Sequence, residues 1–189
     1  YASFSPMLSC IILKSIFKID LFIHEQNSLI GRTNNFFLNN IKKLFLNFDI
    51  KNRINSKFNE KTFVVGSPEN IYSPVINKEK INTLNEFTIF ISGGSQGSEY
   101  IAKLSIDLIK IIDNEKKIKA KFIFQCPKKI IKKARFELKN IKSRIIISEF
   151  FTNIDEILSN VNLSISRSGA GTIVDLINFK IPSILIPLP

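Results

Sequence analysis

The chain of 189 residues contains only two cysteines and one histidine, which limits the metal and redox chemistry open to it. Cys10 and Cys126 form no C-x-x-C pair, so the sequence supports neither a zinc site nor a disulfide framework. We expect both to be small core side chains, as is typical of a reducing compartment. A single histidine is more often structural than catalytic, so we assign His24 no chemistry.

The sequence also lacks an apolar run of the about 18 residues that a membrane span requires. The best candidate, residues 7–23, is broken by Lys14, Lys18 and Asp20. No basic segment precedes this apolar stretch, so a signal peptide is not indicated. We therefore predict no transmembrane segment.

Acidic residues are scarce: 16 Asp and Glu stand against 27 Lys and Arg, which gives a formal net charge of +11. Such a charge attracts anions such as nucleotide sugars, nucleic acid or acidic lipid headgroups. However, the lysines are scattered and form no arginine-rich arm, and a composition rich in Lys, Ile, Asn and Phe is also what AT-rich coding produces. Both explanations of the charge stay open.

From residue 81 onward, short apolar strands alternate with amphipathic helices. The predicted strands are 87–91, 121–125, 144–148, 161–166 and 183–186. The predicted helices are 99–112, 130–138, a short one containing Ile154 and Leu158 with Thr152 as its cap, and 172–179. This alternation predicts an α/β fold with a parallel sheet and helices on both faces.

The first part of the chain also combines predicted strands and helices, but it has fewer of them. Helices are predicted at 8–17 and 28–38, and strands at 20–24, 43–48 and 62–65. Segment 66–74 carries turn-forming Gly and Pro and is the predicted linker. We therefore predict two domains, 1–70 and 71–189. The first has too few elements to close a core alone and the second stops directly after a strand, so both ends look cut.

Two turns of small residues lie between a predicted strand and a helix: SGGSQG at 92–97 and RSGAGT at 167–172. The backbone can approach a ligand closely there, and the free N–H groups of the following helical turn carry a partial positive charge. Two such turns in one run of strand–helix units predict a nucleotide-type ligand.

Four motifs in order carry a resemblance to a known family: HEQN at 24–27, GSP at 66–68, GGSQG at 93–97 and RSGA at 167–170, with EFF at 149–151 before the last. The chain resembles the MurG family of UDP-N-acetylglucosamine (UDP-GlcNAc) transferases over nearly its whole length. The resemblance implies the GT-B architecture of two Rossmann-like parallel-sheet domains, the N-terminal one incomplete here and the C-terminal one truncated.

The resemblance also implies contacts with UDP-GlcNAc. Asn27 would reach the sugar nucleotide from the N-terminal side, Ser95 would contact the donor, and Phe151 takes a position whose backbone recognises uracil. One stretch would hold the diphosphate at the N-terminus of the last helix, with the ribose beside it: Ala170, Gly171, Thr172, Ile173, Val174 and Asp175. No catalytic residue is assigned, no Asp-x-Asp metal motif is present, and neither a cofactor nor a metal is implied.

Several of these residues also have a structural explanation. Asn27 could cap a helix that starts near Ser28, and Thr172 and Asp175 have the spacing of a capping box. Ser95 and Gly97 could simply form a tight turn. The coincidence of four motifs favours the functional explanation for the set as a whole.

The sequence departs from the family pattern in three places. Asn70 stands where the family usually has an Arg near the donor phosphates, and Glu69 adds a negative charge beside it, which predicts weaker phosphate binding. Asp175 replaces the usual Glu and is one methylene short for a bidentate bond to the ribose. The G-x-G-G-H loop with the family's candidate base and the H-x-x-Q-x-x-N-A segment with donor-sugar contacts are absent from the sequence.

The implied reaction is inverting transfer of GlcNAc from UDP-GlcNAc to lipid I, the undecaprenyl-linked muramyl-pentapeptide, giving lipid II for peptidoglycan. It implies a peripheral protein on the cytoplasmic face of the bacterial inner membrane, with that anionic surface as a partner and no nucleic acid. Three hypotheses remain: a fragment or degraded copy that is inactive alone, part of an active enzyme, or a non-catalytic nucleotide-sugar-binding subunit that needs a partner chain.

Overall fold

The computed structural model describes residues 4–67, 86–94, 97–115 and 119–187. The chain divides into two compact units, Tyr1–Ile71 and Tyr72–Pro189. Within the described ranges, no helix combines the length and the apolar character needed to cross a membrane.

The first unit is built on a three-stranded parallel sheet. Its strands pair in the order β1-β2-β3, with β1 at Phe22–Glu25, β2 at Lys43–Leu46 and β3 at Thr62–Val64. Its helical elements are α1 (Phe4–Phe17), α2 (Arg32–Phe36) and three 3-10 helices, Leu38–Asn40, Lys51–Arg53 and Ser56–Lys61. Alternate residues of β2, Leu44 and Leu46, are fully buried and form the centre of the core with Leu38.

The helix predicted at 28–38 is wrong for most of its length. Only the five residues of α2 are α-helical there, and Gly31 precedes them as the N-cap. The cause is the Glu25 carboxylate, which is 3% exposed and accepts the backbone N–H groups of both Asn27 and Gly31. Because these groups bond a side chain, the segment between them forms a loop. Elsewhere in this unit the predicted elements are present with shifted ends.

The second unit is a five-stranded sheet in which every pair is parallel. Its strands are β4 (Phe87–Ser92), β5 (Ala120–Gln125), β6 (Arg144–Ser148), β7 (Leu163–Arg167) and β8 (Ser183–Ile186), in the order β6-β5-β4-β7-β8. The helices that connect them are α3 (Glu99–Glu115), α4 (Lys128–Glu137), α5 (Ile154–Leu158) and α6 (Ala170–Asn178). The predicted parallel α/β fold is confirmed.

The two faces of this sheet carry separate hydrophobic clusters. Ile91 and Phe124 lie in one cluster with residues of α3 and α4, such as Ile109 and Ala134. Phe90 lies on the opposite face, in a cluster with residues of α5 and α6. This alternation along β4 follows from the two-residue period of a strand, and it places helices on both faces as predicted.

The two cysteines differ in burial. Cys126 follows β5 and is fully buried in the α3–α4 cluster, as predicted, and burial raises the pKa of its thiol to about 11. Cys10 on α1 is only half-buried, so the prediction of a core position is wrong for it.

Candidate functional site

The strand order of the second unit creates one topological switch point. If the five strands are numbered 1 to 5 in chain order, their order across the sheet is 3-2-1-4-5. The strands β4 and β7 are neighbours, and the chain leaves them toward opposite sides of the sheet. In open α/β sheets, ligands bind outside the carboxyl ends of the strands at this point. Ser92 and Arg167 end these two strands, and a predicted glycine turn follows each.

The first glycine turn has a backbone that requires glycine at position 93 and favours it at position 94. Gly94 has a φ of 83°, and a Cβ on Gly93 would lie 2.4 Å from the backbone N of Ser98. The Gly97 N–H donates to the Gly94 carbonyl at 3.0 Å. This bond closes a tight turn, which is the structural role that the sequence offered for Gly97 as an alternative to ligand binding. Ser95, the predicted donor contact, lies outside the described residues.

The second turn leads into α6 with an open N-terminus. Gly169 is the N-cap, and no side chain of the described residues caps this helix. The first helical hydrogen bond runs from the Ile173 N–H to the Gly169 carbonyl, so the N–H groups of the preceding turn lie outside the intrahelical ladder. A Cβ at Gly171 would meet no atom within 4 Å. This helix end has the free donors and the space that an anion needs.

Helix α6 begins at Ala170, two residues before the predicted start. Thr172 and Asp175 therefore both lie inside the helix, and the capping-box interpretation of this pair is wrong. The Val174 side chain is buried in the core. The Ile173 side chain lines a shallow apolar cavity with Leu176 and neighbouring residues of β8. Ala170, Gly171 and Thr172 thus form the first turn of α6, and Asp175 lies in its second turn.

Phe151 lies in the segment between β6 and α5. Its ring packs edge-on against that of Phe90, with 6.4 Å between the ring centroids. The Phe151 side chain is therefore engaged in packing. The predicted cap of α5 at Thr152 is wrong, because Asn153 occupies the N-cap position.

A row of polar residues crosses the carboxyl end of the sheet, a feature not predicted from the sequence. Ser148, Gln125, Ser92 and Ser166 are register partners on neighbouring strands β6, β5, β4 and β7. The Ser92 hydroxyl donates to Gln125 Oε1 at 2.9 Å and accepts the Gly94 N–H at 3.1 Å. The row therefore connects the sheet to the first glycine turn. Its signal in the sequence is the polar residue near the end of each of these four apolar strands.

A cavity of about 360 Å³ opens near the same edge. It is lined by residues from the starts of α3 and α4 and from the ends of β5 and β6: Gly97, Glu99, Gln125, Pro127, Lys128, Lys129 and Glu149. Charges of both signs face this space.

In the first unit, Asn27 lies two residues beyond the end of β1. Its N–H and its Nδ2 both donate to Glu25 Oε1, at 3.0 and 2.9 Å. Asn27 does not cap a helix, because α2 starts at Arg32, and its amide is held by a carboxylate instead. Glu25 Oε2 accepts the Gly31 N–H and Asn34 Nδ2, both at 2.8 Å.

These contacts set the charge state of Glu25. Burial raises the pKa of this carboxyl, but the hydrogen bonds from Gly31, Asn27 and Asn34 outweigh it, so the net pKa lies below the ordinary value. The neighbouring His24 has a structural partner, since its Nε2 lies 2.9 Å from the Gly66 carbonyl beyond β3.

Residues 88–189 match the family described as the glycosyltransferase family 28 C-terminal domain. The chain belongs to glycosyltransferase family 28. The family 28 match covers both glycine turns, the segment with Phe151 and all of α6.

Relatives carry one recurring name, UDP-N-acetylglucosamine–N-acetylmuramyl-(pentapeptide) pyrophosphoryl-undecaprenol N-acetylglucosamine transferase. The protein of that name from Rickettsia bellii is 30% identical over 97% of this chain and 53% of its own length. Its counterpart from Rickettsia felis is 31% identical over 100% of the chain and 54% of its own length. The chain therefore spans about half the length of the relatives it matches, and the predicted family resemblance is confirmed.

The fold has a match among solved structures. The crystal structure of Acinetobacter baumannii MurG superimposes with a TM-score of 0.71 at 20% identity, over 95% of this chain and 49% of that one. This likeness confirms the predicted GT-B-type fold class.

Proposed function

We propose that the second unit binds UDP-GlcNAc at the carboxyl edge of its sheet, at the switch point between β4 and β7. The observation that carries this proposal is the pair of glycine turns at neighbouring strand ends, one of which opens into the uncapped N-terminus of α6. Membership of glycosyltransferase family 28 and the names of the relatives support UDP-GlcNAc as the ligand.

The geometry supports a division of roles. The diphosphate would lie against the first turn of α6, formed by Ala170, Gly171 and Thr172, with Ser95 on the other glycine turn. Asp175, one helical turn further on, would take the ribose, and the Phe151 main chain would take uracil. Ile173 and Val174 contribute through packing, because their side chains face a shallow cavity and the core. Asn27 would contact the sugar nucleotide through an amide that Glu25 holds.

The proposed reaction transfers GlcNAc to the acceptor hydroxyl of lipid I with inversion, which gives lipid II and UDP. Negative charge accumulates on the diphosphate as UDP leaves, and the partial positive charge of the α6 N-terminus would stabilise it. Deprotonation of the acceptor needs a general base, a role to which we assign no residue. The formal net charge of +11 supports a peripheral position on the anionic cytoplasmic face of the inner membrane.

Calorimetric titration tests the donor site. The chain is expected to bind UDP-GlcNAc and UDP, and to bind GDP more weakly because the base differs. A folded sample that binds no UDP-GlcNAc would contradict the proposal.

A second assay measures transfer of labelled GlcNAc to lipid I in vesicles. Transfer supports the catalytic proposal. Donor binding without transfer supports the alternatives of an inactive fragment or a nucleotide-sugar-binding subunit.

A further inference from the structure

Arg167 connects three segments of the carboxyl edge. It ends β7, and its Nη2 donates to Ser98 Oγ at 3.2 Å, directly before α3. Its Nη1 donates to the Pro187 carbonyl, which follows β8. Its Cβ lies 3.7 Å from the position that a Cβ on Gly94 would take. Arg167 thus bonds the residue that follows the first glycine turn, directly precedes the second turn and reaches the residue after the next strand.

The Ser98 hydroxyl connects Arg167 to the start of α3. The same oxygen accepts the Ile101 N–H at 3.3 Å, which caps α3. A shift of the Arg167 guanidinium would therefore displace the start of α3 and the turn that leads into it.

The two Nη groups of Arg167, and not its Nε, hold the guanidinium in place. Arg167 Nε is buried and has no hydrogen-bond partner among the described residues. No described carboxylate forms an ion pair with Arg167 either. The two Nη groups, which reach in different directions, fix the plane of the guanidinium. A lysine has the charge but not the planar fork that serves both acceptors.

We propose that Arg167 is a positioning residue of the donor site, which holds the two glycine turns in the mutual geometry that binds a nucleotide diphosphate. The inference rests on the proposed function for its ligand. Its effect is geometric: the fork, not the positive charge alone, is what the site requires.

The test compares R167K with R144K. Both substitutions keep the net charge, and Arg144 is exposed at the opposite, amino end of β6. Hydrogen exchange of the amides of Gly94 and Gly97, which both have hydrogen-bond acceptors in the first turn, is measured without ligand, and UDP affinity is measured by calorimetry. R167K is expected to accelerate exchange of both amides and to weaken UDP binding about tenfold, the size of one charge-assisted hydrogen bond. R144K is expected to change neither.

Retention of UDP affinity and slow exchange by R167K would overturn the proposal, because the charge alone would then suffice. Should R167K fail to fold, S98A removes one acceptor of the same fork, with S98T as the control that keeps the hydroxyl. Faster exchange of both amides in S98A but not in S98T supports the proposal, and no change in S98A overturns it. If the unaltered chain binds no UDP, the proposed function fails, while the ligand-free exchange still decides whether Arg167 positions the first turn.

Discussion

Arg167 donates a hydrogen bond to the hydroxyl of Ser98 over 3.2 Å, although 69 residues separate the two in the chain. The bond joins the end of β7, which leads into the second glycine turn, to the residue that caps α3 after the first glycine turn. The two turns therefore belong to one edge of one sheet, and that edge is where a parallel α/β sheet binds its ligands. Neither turn alone defines the site.

The first prediction concerns the open space at Gly171. A Cβ there meets nothing within 4 Å, so the Cβ of an aspartate fits at this position without a clash. A carboxylate in the first turn of α6 interacts favourably with the helix dipole, so we expect stability to rise by about 0.5 kcal/mol. The same carboxylate repels a diphosphate, so UDP binding should weaken about tenfold or more. Thermal unfolding and calorimetry measure the two effects.

Gly171→Asn is the matched control, because it has the shape of Asp without its charge. We expect it to bind UDP within about threefold of the unaltered chain. Equal affinity in the Asp and Asn variants would show that the diphosphate does not lie at this helix end.

The second prediction concerns Glu25, whose carboxylate accepts four hydrogen bonds. Glu25→Gln replaces an acceptor oxygen with a donor that faces other donors, so we expect a loss of about 2–4 kcal/mol of unfolding free energy at pH 7. The exposed Glu60→Gln, in the same unit, should stay within about 0.5 kcal/mol. Urea unfolding, with hydrogen exchange reporting on the first unit, measures both.

The pKa of Glu25 sets the pH dependence of this loss. Its folded pKa lies below the ordinary 4.5, so the unfolded chain binds the proton more readily. The stabilisation is therefore complete well above pH 4.5 and decreases as the pH falls through the folded pKa. The stability difference between the unaltered chain and Glu25→Gln should narrow below pH 4.5. A constant difference from pH 7 to pH 3 would show that the charge of Glu25 does not contribute.

The third prediction concerns the reactivity of the cysteines. Cys126 is fully buried and burial raises its pKa to about 11, so very little reactive thiolate is present near neutral pH. Cys10 is half-buried on α1. Alkylation of the folded chain at pH 7.5, followed by mass spectrometry, should label Cys10 and leave Cys126 unlabelled until denaturant is added. Equal labelling of both in the folded chain would contradict the burial of Cys126.

Local patterns were sufficient to predict the second unit. Each of its strands is a short apolar run, such as Ile145 to Ile147, bounded by polar or turn-forming residues, and every predicted strand is present with ends shifted by at most two residues. In central strands such as β4, burial on both faces of a parallel sheet produces this continuous apolar signal. The glycine turns were likewise visible because their small residues directly follow such strands.

The errors occur where a distant or side-chain partner decides the backbone. Segment 28–38 has a helical pattern, yet Glu25 takes the N–H of Gly31 and delays the helix to Arg32. The contact between Arg167 and Ser98 and the polar row through Ser92 depend on which strands are neighbours. Spacing along the chain does not contain that information.

The most direct test of the donor site is a UDP titration of the isotopically labelled chain, followed through its backbone amide resonances. A diphosphate at the α6 N-terminus should produce its largest shifts at Ala170, Gly171 and Thr172, with further shifts at Gly94 and Gly97. Saturation with UDP that leaves these five amides unshifted, or that shifts only residues at the amino ends of the strands, would contradict the assignment.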